Sequence, residues 1–434
     1  MKITVAGAGH GGLVVAALLA KSGHDVTVYE KKKRDELGHD WEDRFTFSLL
    51  EEIIGKKIPD TAWRYRGDCS FVSPSRTSNV VINYNDSNRQ KIMWRKYLIG
   101  TLLDFAEESG VRFEYGSEVL APVIKDNAVT GIKTEKSEVL SDFVIDAAGV
   151  FSPLRTNLPE LFGIEKTPAR GDLFYAKRAY FNKTDEPAPE IPFEICLCHN
   201  REQGLSWCCV NEDSVDILIG RIDPLPEGKF EECAADFRLL YPCTGDKILH
   251  GGQSGVIPVR RPLAIMVAPG YAAVGDSAFM TTPMNGMGID LSLNAGRLLA
   301  QTIIKYGSAD IETLWEYNRQ FHIEYGGITA KNEGLKNSLL EMPGEGVDFL
   351  FDNGVIQSSD LAGAGSKTSI GSLLGKFVRG MRNPAYFFAI INGLIKGAKL
   401  KKALENAPAD YNTDEIFRWQ ESIENTLVRV KRKG

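Results

Sequence analysis

At 434 residues the chain exceeds the reach of one simple core, which sets an expectation of two domains or one elaborated domain. It is 43% hydrophobic and 25% charged with a formal net charge of -6, an ordinary globular composition with no general pull toward nucleic acid or anionic lipid. No apolar run is long enough to span a bilayer, and the apolar stretch Leu13–Ala20 follows a glycine-rich turn instead of a basic region, so the expected compartment is the cytoplasm.

In chain order, Ile3–Ala6 reads as a short buried strand, followed by Gly7-Ala8-Gly9-His10-Gly11-Gly12 and a helical pattern from Leu13 to Lys21 that Gly23 stops. A second strand, Val26–Tyr29, ends in Glu30 with Lys31 beside it. This order of strand, glycine turn, helix, strand and acid is that of a dinucleotide-binding unit. Gly7 permits the tight turn, Gly9 lets a pyrophosphate approach the backbone, and Gly12 lets the helix pack on the sheet. Free amides at the helix start face the phosphates, with the positive end of the macrodipole behind them. Glu30 can accept from both ribose hydroxyls and disfavours an extra phosphate there. The motif alone does not separate FAD from NAD.

Trp94-Arg95 opens a helix with Leu98, Leu102 and Ala106 on one face, and the strand Arg112–Tyr115 follows with Val119 beyond it. Asp142–Gly149 is an apolar strand ending in Ala147-Ala148-Gly149 and running on to Arg155, with Asp146 read as structural. Aromatic-rich runs at Asp68–Val72, Val80–Tyr84, Phe174–Phe181, Ile191–Cys198, Gly204–Val210 and Val215–Ile222 predict a mostly antiparallel sheet. Cys196-Leu197-Cys198 places both sulfurs on one face of a strand, and with His199, Cys208 and Cys209 the spacing is wrong for a zinc site; these are read as buried thiols, with no metal. Seven cysteines in so long a chain do not suggest a disulfide framework.

Gly255–Pro262 reads as a return to the first unit, Tyr271–Val274 as a strand ending in Gly275-Asp276-Ser277-Ala278, and Pro283-Met284-Asn285-Gly286-Met287-Gly288 as the opening of a helix carried by Ile289, Leu293, Leu299 and Ile303. Beyond residue 306 the reading is helical: Ile311–Tyr325, a glycine-rich stretch with Gly363, Gly365, Gly371 and Gly375, and a basic, aromatic-rich helix pair over Phe377–Leu400. Such a pair either lies on a membrane surface or caps a cavity with solvated cationic edges. The basic run Val428–Lys433 reads as a solvated tail.

The ensemble of the glycine turn, Asp142–Gly149, Gly275–Ala278 and Pro283–Gly288 resembles the flavoprotein superfamily of p-hydroxybenzoate hydroxylase and geranylgeranyl reductase, across roughly residues 1 to 305. The resemblance implies an α/β fold: a three-layer, Rossmann-like FAD-binding domain, an antiparallel β-sheet substrate domain over the flavin, and a helical C-terminal region. The expected boundaries are 1–60, 90–160 and 258–330 for the cofactor domain, 61–89 and 161–257 for the sheet domain, and 331–434 for the helices. It further implies that Asp276 holds a hydroxyl of the ribityl–phosphate arm, that Gly286, Met287 and Gly288 lie against the flavin pyrimidine edge, that Arg95 contacts the cofactor, and that Val119 lies near the adenine. Lys31, Ala148, Gly149, Gly275 and Pro283 complete the expected cofactor-binding set.

Gly204–Trp207 through Ile217–Gly220 is reminiscent of a geranylgeranyl reductase hairpin, with Trp207 and Gly220 kept, Cys208-Cys209 in place of Phe-Pro, and Asp216–Ile219 replacing the second half. Trp207 is the candidate substrate residue, as cavity wall or plain core aromatic. The cysteine of some such reductases is absent at Gly38-His39-Asp40-Trp41, and Phe279 stands where aromatic hydroxylases carry a His. The halogenase Trp-x-Trp-x-Ile-Pro motif is also absent. The leading expectation is FAD-dependent reduction of isoprenoid C=C bonds, with no side chain identified as proton donor. The alternatives are a flavin monooxygenase or dehydrogenase acting on a small aromatic or polar molecule, and a non-catalytic flavin electron carrier. No second glycine fingerprint appears, so the reductant is expected to bind transiently, as NAD(P)H or a reduced carrier protein. A lipid substrate would suit peripheral membrane contact.

Overall fold

A computed structural model describes residues 1–85, 89–361 and 370–426, with side chains from 375 onward in the last segment. Gly363, Gly365 and the basic run Val428–Lys433 lie outside the described residues.

The chain opens with an interior strand, Lys2–Ala6, whose last four residues are buried. It pairs in parallel with Asp25–Glu30 on one side and Phe143–Asp146 on the other. Such strands read as continuous apolar runs because both faces are covered. Arg112–Tyr115 extends the sheet beyond Asp25–Glu30, and the hairpin Val267–Ala268/Tyr271–Ala273 closes its other edge, giving six strands. The helix His10–Lys21 packs against both Arg95–Glu108 and Ile289–Tyr306. A three-stranded meander, Val119–Lys125, Ala128–Thr134 and Glu138–Leu140, packs against the Phe143–Asp146 strand and adds the third layer. The sequence reading contained only its first residue.

The second sheet has seven strands, in the order Thr244–Pro258, Leu173–Lys183, Ser214–Arg221, Gly204–Val210, Phe193–Leu197, Cys69–Val72 and Asn79–Ile82. All its pairs are antiparallel except Phe193–Leu197 with Cys69–Val72. On one face the helix Lys229–Leu240 buries Phe230, Cys233 and Phe237 against Phe181, Cys208, Ile217 and Ile219. The opposite face carries Ile195, Trp207 and Leu218 in one cross-strand row. The expected shared face for Cys196 and Cys198 is corrected: the strand ends at Leu197, and Cys198 turns into the left-handed region at φ 49°. All seven cysteines are free, and the described residues contain no cluster suited to a metal ion.

The C-terminal part is a helical layer. Gly327–Glu341 crosses Pro384–Glu405 where Gly334, Gly393 and Gly397 let the backbones touch; a Cβ on Gly397 would stand 1.9 Å from the Lys331 carbonyl oxygen. The layer is fastened by indole N–H bonds from Trp315 to the Pro408 carbonyl (2.9 Å) and from Trp419 to the Ala403 carbonyl (2.7 Å). A second cluster built on Leu350, Phe351 and Phe387 rests on Phe71, Val80 and Leu197 of the seven-stranded sheet. The helices thus roof one end of the face that carries Trp207.

Candidate active site

The glycine turn takes its shape from close approach. Gly7 has φ +91°, and a Cβ there would lie 2.5 Å from the Ala147 carbonyl oxygen; one on Gly12 would lie 2.5 Å from the Ala147 Cβ. Any side chain at either place would push the turn off the sheet. No side chain caps the helix that starts at His10, so its first amides are available to an anion.

Glu30 is 8% exposed, and its two carboxylate oxygens each accept a backbone bond, from the Ala8 N–H (2.9 Å) and the Lys32 N–H (2.9 Å). The acid therefore fixes the turn and keeps lone pairs for two hydroxyls. Lys31 lies exposed beside it, 3.8 Å from Glu118, while Val119 is buried at the start of its strand. Ala148 donates its N–H to Asp146, which also accepts from Ser152 and Tyr271, so Asp146 organises the strand end. Gly149 has φ +89°.

Arg95 is the electrostatic centre. Its Nε donates to Asp43 at 2.5 Å and its guanidinium stands 5.3 Å over the Trp41 ring. Burial, then the Arg95 charge, holds the His10 imidazole down at about 3, and the same pair of causes holds His39 down at about 4. Both rings are therefore neutral at physiological pH. The His10 Nε2 is buried without a partner. Burial raises the Asp276 carboxyl, opposed by Arg95 and a bond from the Thr281 hydroxyl (3.2 Å). A Cβ on Gly288 would be 3.5 Å from the Asp276 Oδ1. The structure thus brings the glycine turn, Arg95, Gly275-Asp276 and Gly288 to one place.

Pro283 is buried, and the Met287 N–H donates to the Thr282 hydroxyl at 3.1 Å. The Arg44 guanidinium donates to the Met287 sulfur at 2.6 Å, and Asp290 accepts from the Thr46 N–H and hydroxyl, each at 2.8 Å. A cleft of about 330 Å³ opens beside these residues, lined also by Phe47, Arg89 and Lys91. Sequence reasoning missed His39, Asp43, Arg44 and Thr46; the only signal was a polar, aperiodic segment after the second strand.

Trp207 belongs to a different surface. It lies on the inner face of the seven-stranded sheet, with Phe193 edge-on at 6.0 Å, the Arg178 guanidinium 5.1 Å above it, and its indole N–H buried without a partner. Gly220 shares this face, and Phe174 fills the space a side chain there would need, since a Cβ would be 1.9 Å from its ring. Arg178 is locked by a two-point bond to Asp216 (2.8 and 2.6 Å) and reaches the Glu42 carbonyl at 2.6 Å.

A glycine turn with uncapped amides, a buried acid at the end of the second strand, a buried unpartnered imidazole and a second helix start fit a flavin dinucleotide and point to a flavin-dependent oxidoreductase. Residues 5–44 match the NAD(P)-binding Rossmann-like domain, and residues 88–302 match the family described as FAD dependent oxidoreductase. The chain is 21% identical to digeranylgeranylglycerophospholipid reductase of Sulfolobus acidocaldarius over 76% of each chain. It is 24% identical to the enzyme of that name from Methanothrix thermoacetophila, over 87% of this chain and 95% of the relative. In structure it is similar to a geranylgeranyl bacteriochlorophyll reductase-like protein of Thermoplasma acidophilum, with TM-score 0.71 and 18% identity, over 90% of this chain and 98% of the other. The chain is an FAD-dependent oxidoreductase, and what it is similar to in sequence and fold includes geranylgeranyl reductase-like proteins.

Proposed function

We propose that this enzyme reduces C=C bonds of an isoprenoid lipid. The observation that carries the reading is the inner sheet face. Phe71, Ile195, Leu197, Leu205 and Trp207 are only half-buried there, and the C-terminal helices roof one end of it. Half-buried apolar side chains turned toward the interior provide a wall for an apolar chain. When bound and reduced, FAD supplies a hydride to one alkene carbon, and a proton goes to the other. Gly7–Gly12 and Glu30 would hold the dinucleotide, Asp276 and Arg95 its central arm, and Gly286–Gly288 the flavin edge. The helix start at Ile289 would favour negative charge at that edge. The sheet and roof would align the alkene and exclude water. The two electrons would come from transient NAD(P)H or a reduced carrier protein.

The test is anaerobic: reduce the flavoprotein, add prenyl lipids, and follow return of the oxidised flavin absorbance with mass spectra of the lipid. Reoxidation coupled to a hydrogenated lipid is expected. No response to any prenyl lipid, with fast reoxidation by air only when a small aromatic is present, would replace this reading with a monooxygenase.

A further inference from the structure

The helix pair Ile370–Gly380 and Pro384–Glu405 has two faces of different character. Inward, Phe387 is 6% exposed; its ring fills the space above Gly380, where a Cβ would stand 2.2 Å from it, and it joins the cluster that roofs the substrate sheet. Outward, the next residue, Phe388, is 48% exposed. Phe377 (48%), Val378 (64%) and Ile395 (49%) share this exposure, and Phe377 packs edge-on against Phe387 at 5.8 Å, which fastens the first helix to the second. Phe388, Ile395, Lys399 and Lys402 follow at helical spacing, an apolar stripe that ends in cations.

The charge pattern identifies the occupant. From Leu361 to Leu404 the sequence has eight Lys and Arg and no Asp or Glu, in a chain whose net charge is -6. Lys396, Lys399 and Lys402 are exposed and form no ion pair among the described residues. An acidic protein partner would account for the cations but not for the protruding phenylalanine, valine and isoleucine side chains, whereas an anionic bilayer matches both. No described helix is long and apolar enough to cross a membrane, so the fit is to a helix pair lying in the interface.

We infer that the outer face of this helix pair docks the enzyme on an anionic lipid surface, with Phe377, Val378, Phe388 and Ile395 in the acyl boundary and Lys396, Lys399 and Lys402 at the phosphates. The proposal rests on the prenyl-lipid reading and deepens it. The helix that touches the bilayer outside is the one that roofs the substrate face inside, so a lipid substrate passes from membrane to cavity without crossing water.

The test uses the FAD-loaded full chain and extruded phosphatidylcholine vesicles with or without about a quarter phosphatidylglycerol, read by co-sedimentation. Binding is expected only with the anionic lipid. The Phe388→Ser/Ile395→Ser variant and the Lys396→Gln/Lys399→Gln/Lys402→Gln variant should each lower partitioning about tenfold or more. Both should retain flavin and turn over detergent-solubilised substrate as the parent does. Absence of vesicle binding, or binding unchanged in both variants, overturns the docking surface. Saturable binding to an acidic protein with none to vesicles overturns it as well. Because these vesicles contain no substrate, normal docking with no reduction of any prenyl lipid would leave the surface standing and remove only the reductase reading.

Discussion

Two glycines inside helices should respond in opposite directions to the same substitution. Gly296 sits in Ile289–Tyr306 where that helix crosses the cofactor turn, and a Cβ there would be 2.3 Å from the Gly11 carbonyl oxygen. Gly100 sits in Arg95–Glu108, and a Cβ there would meet nothing within 4 Å. Helix propensity alone favours alanine at both sites by up to about 1 kcal/mol. At Gly296 the opposing atom is backbone, so the helices must separate by roughly 1 Å to restore contact distance, and overpacking of this kind costs about 1–3 kcal/mol or more. The clash therefore wins at Gly296 and propensity wins at Gly100. Gly296→Ala should lower the thermal midpoint and weaken FAD binding by about tenfold, because Gly11 is displaced from the anion-facing turn. Gly100→Ala should raise the midpoint slightly and leave FAD affinity unchanged. Thermal unfolding and fluorescence titration of the apoprotein with FAD read both effects. Unchanged FAD affinity in Gly296→Ala would refute the argument that this crossing sets the turn.

Asp216→Asn should destabilise the sheet by about 3–5 kcal/mol in urea unfolding, because the buried Arg178 charge loses its partner, while Arg178→Met/Asp216→Leu should recover most of that loss. The buried His10 and His322 rings, held down at about 3 and about 4, stay neutral in the folded chain. The unfolded chain takes up those protons below about pH 6.5, so stability should fall as pH drops from there, by about 2 kcal/mol per ring at pH 5. His322→Gln should flatten the pH dependence of the thermal midpoint; a parallel curve would refute this assignment. If the sheet face of Trp207 holds substrate as proposed, Trp207→Ala should raise KM for prenyl lipids about tenfold without changing FAD affinity, since the indole lies on that sheet and away from the glycine turn.

The candidate cofactor segments are legible in the sequence because their parts are local. Gly7–Gly12 and Glu30 are joined by one strand–helix–strand unit that spacing exposes, and Gly275–Gly288 is one short run ahead of the helix from Ile289, read through the resemblance. The hairpin Gly204–Val210/Ser214–Arg221 is legible for the same reason: alternation survives along it and Trp207 meets Leu218 across it. The 15-residue strand Thr244–Pro258 has no such pattern. Gly251 and Gly252 take φ +75° and +69°, and the register against Leu173–Lys183 shifts three times, which breaks the period of two that a strand reading needs. The helix Lys229–Leu240 was missed because its buried residues, Phe230, Cys233, Ala234 and Phe237, are set among charges. The segment from His39 to Thr46 was illegible for a different reason: its partners, Arg95, Met287 and Asp290, come from far along the chain.

That segment also explains how two sheets can work as one site. Glu42 binds the Arg64 guanidinium through its carboxylate, donates its N–H to the Tyr180 hydroxyl (2.9 Å) and accepts Arg178 on its carbonyl, so two residues of the seven-stranded sheet, Tyr180 and Arg178, hold it. The next residue, Asp43, is held by Arg95, and Arg44 and Thr46 then engage Met287 and Asp290. Residues 42 to 46 thus run from the sheet that bears Trp207 to the loop that would bear the flavin edge. Glu42 and Arg44 stand in one short strand, Glu42–Arg44, so a displacement of the sheet is passed toward Met287. On the proposed reading, hydride transfer needs close alignment of donor and acceptor, and this tether between the two elements would serve it.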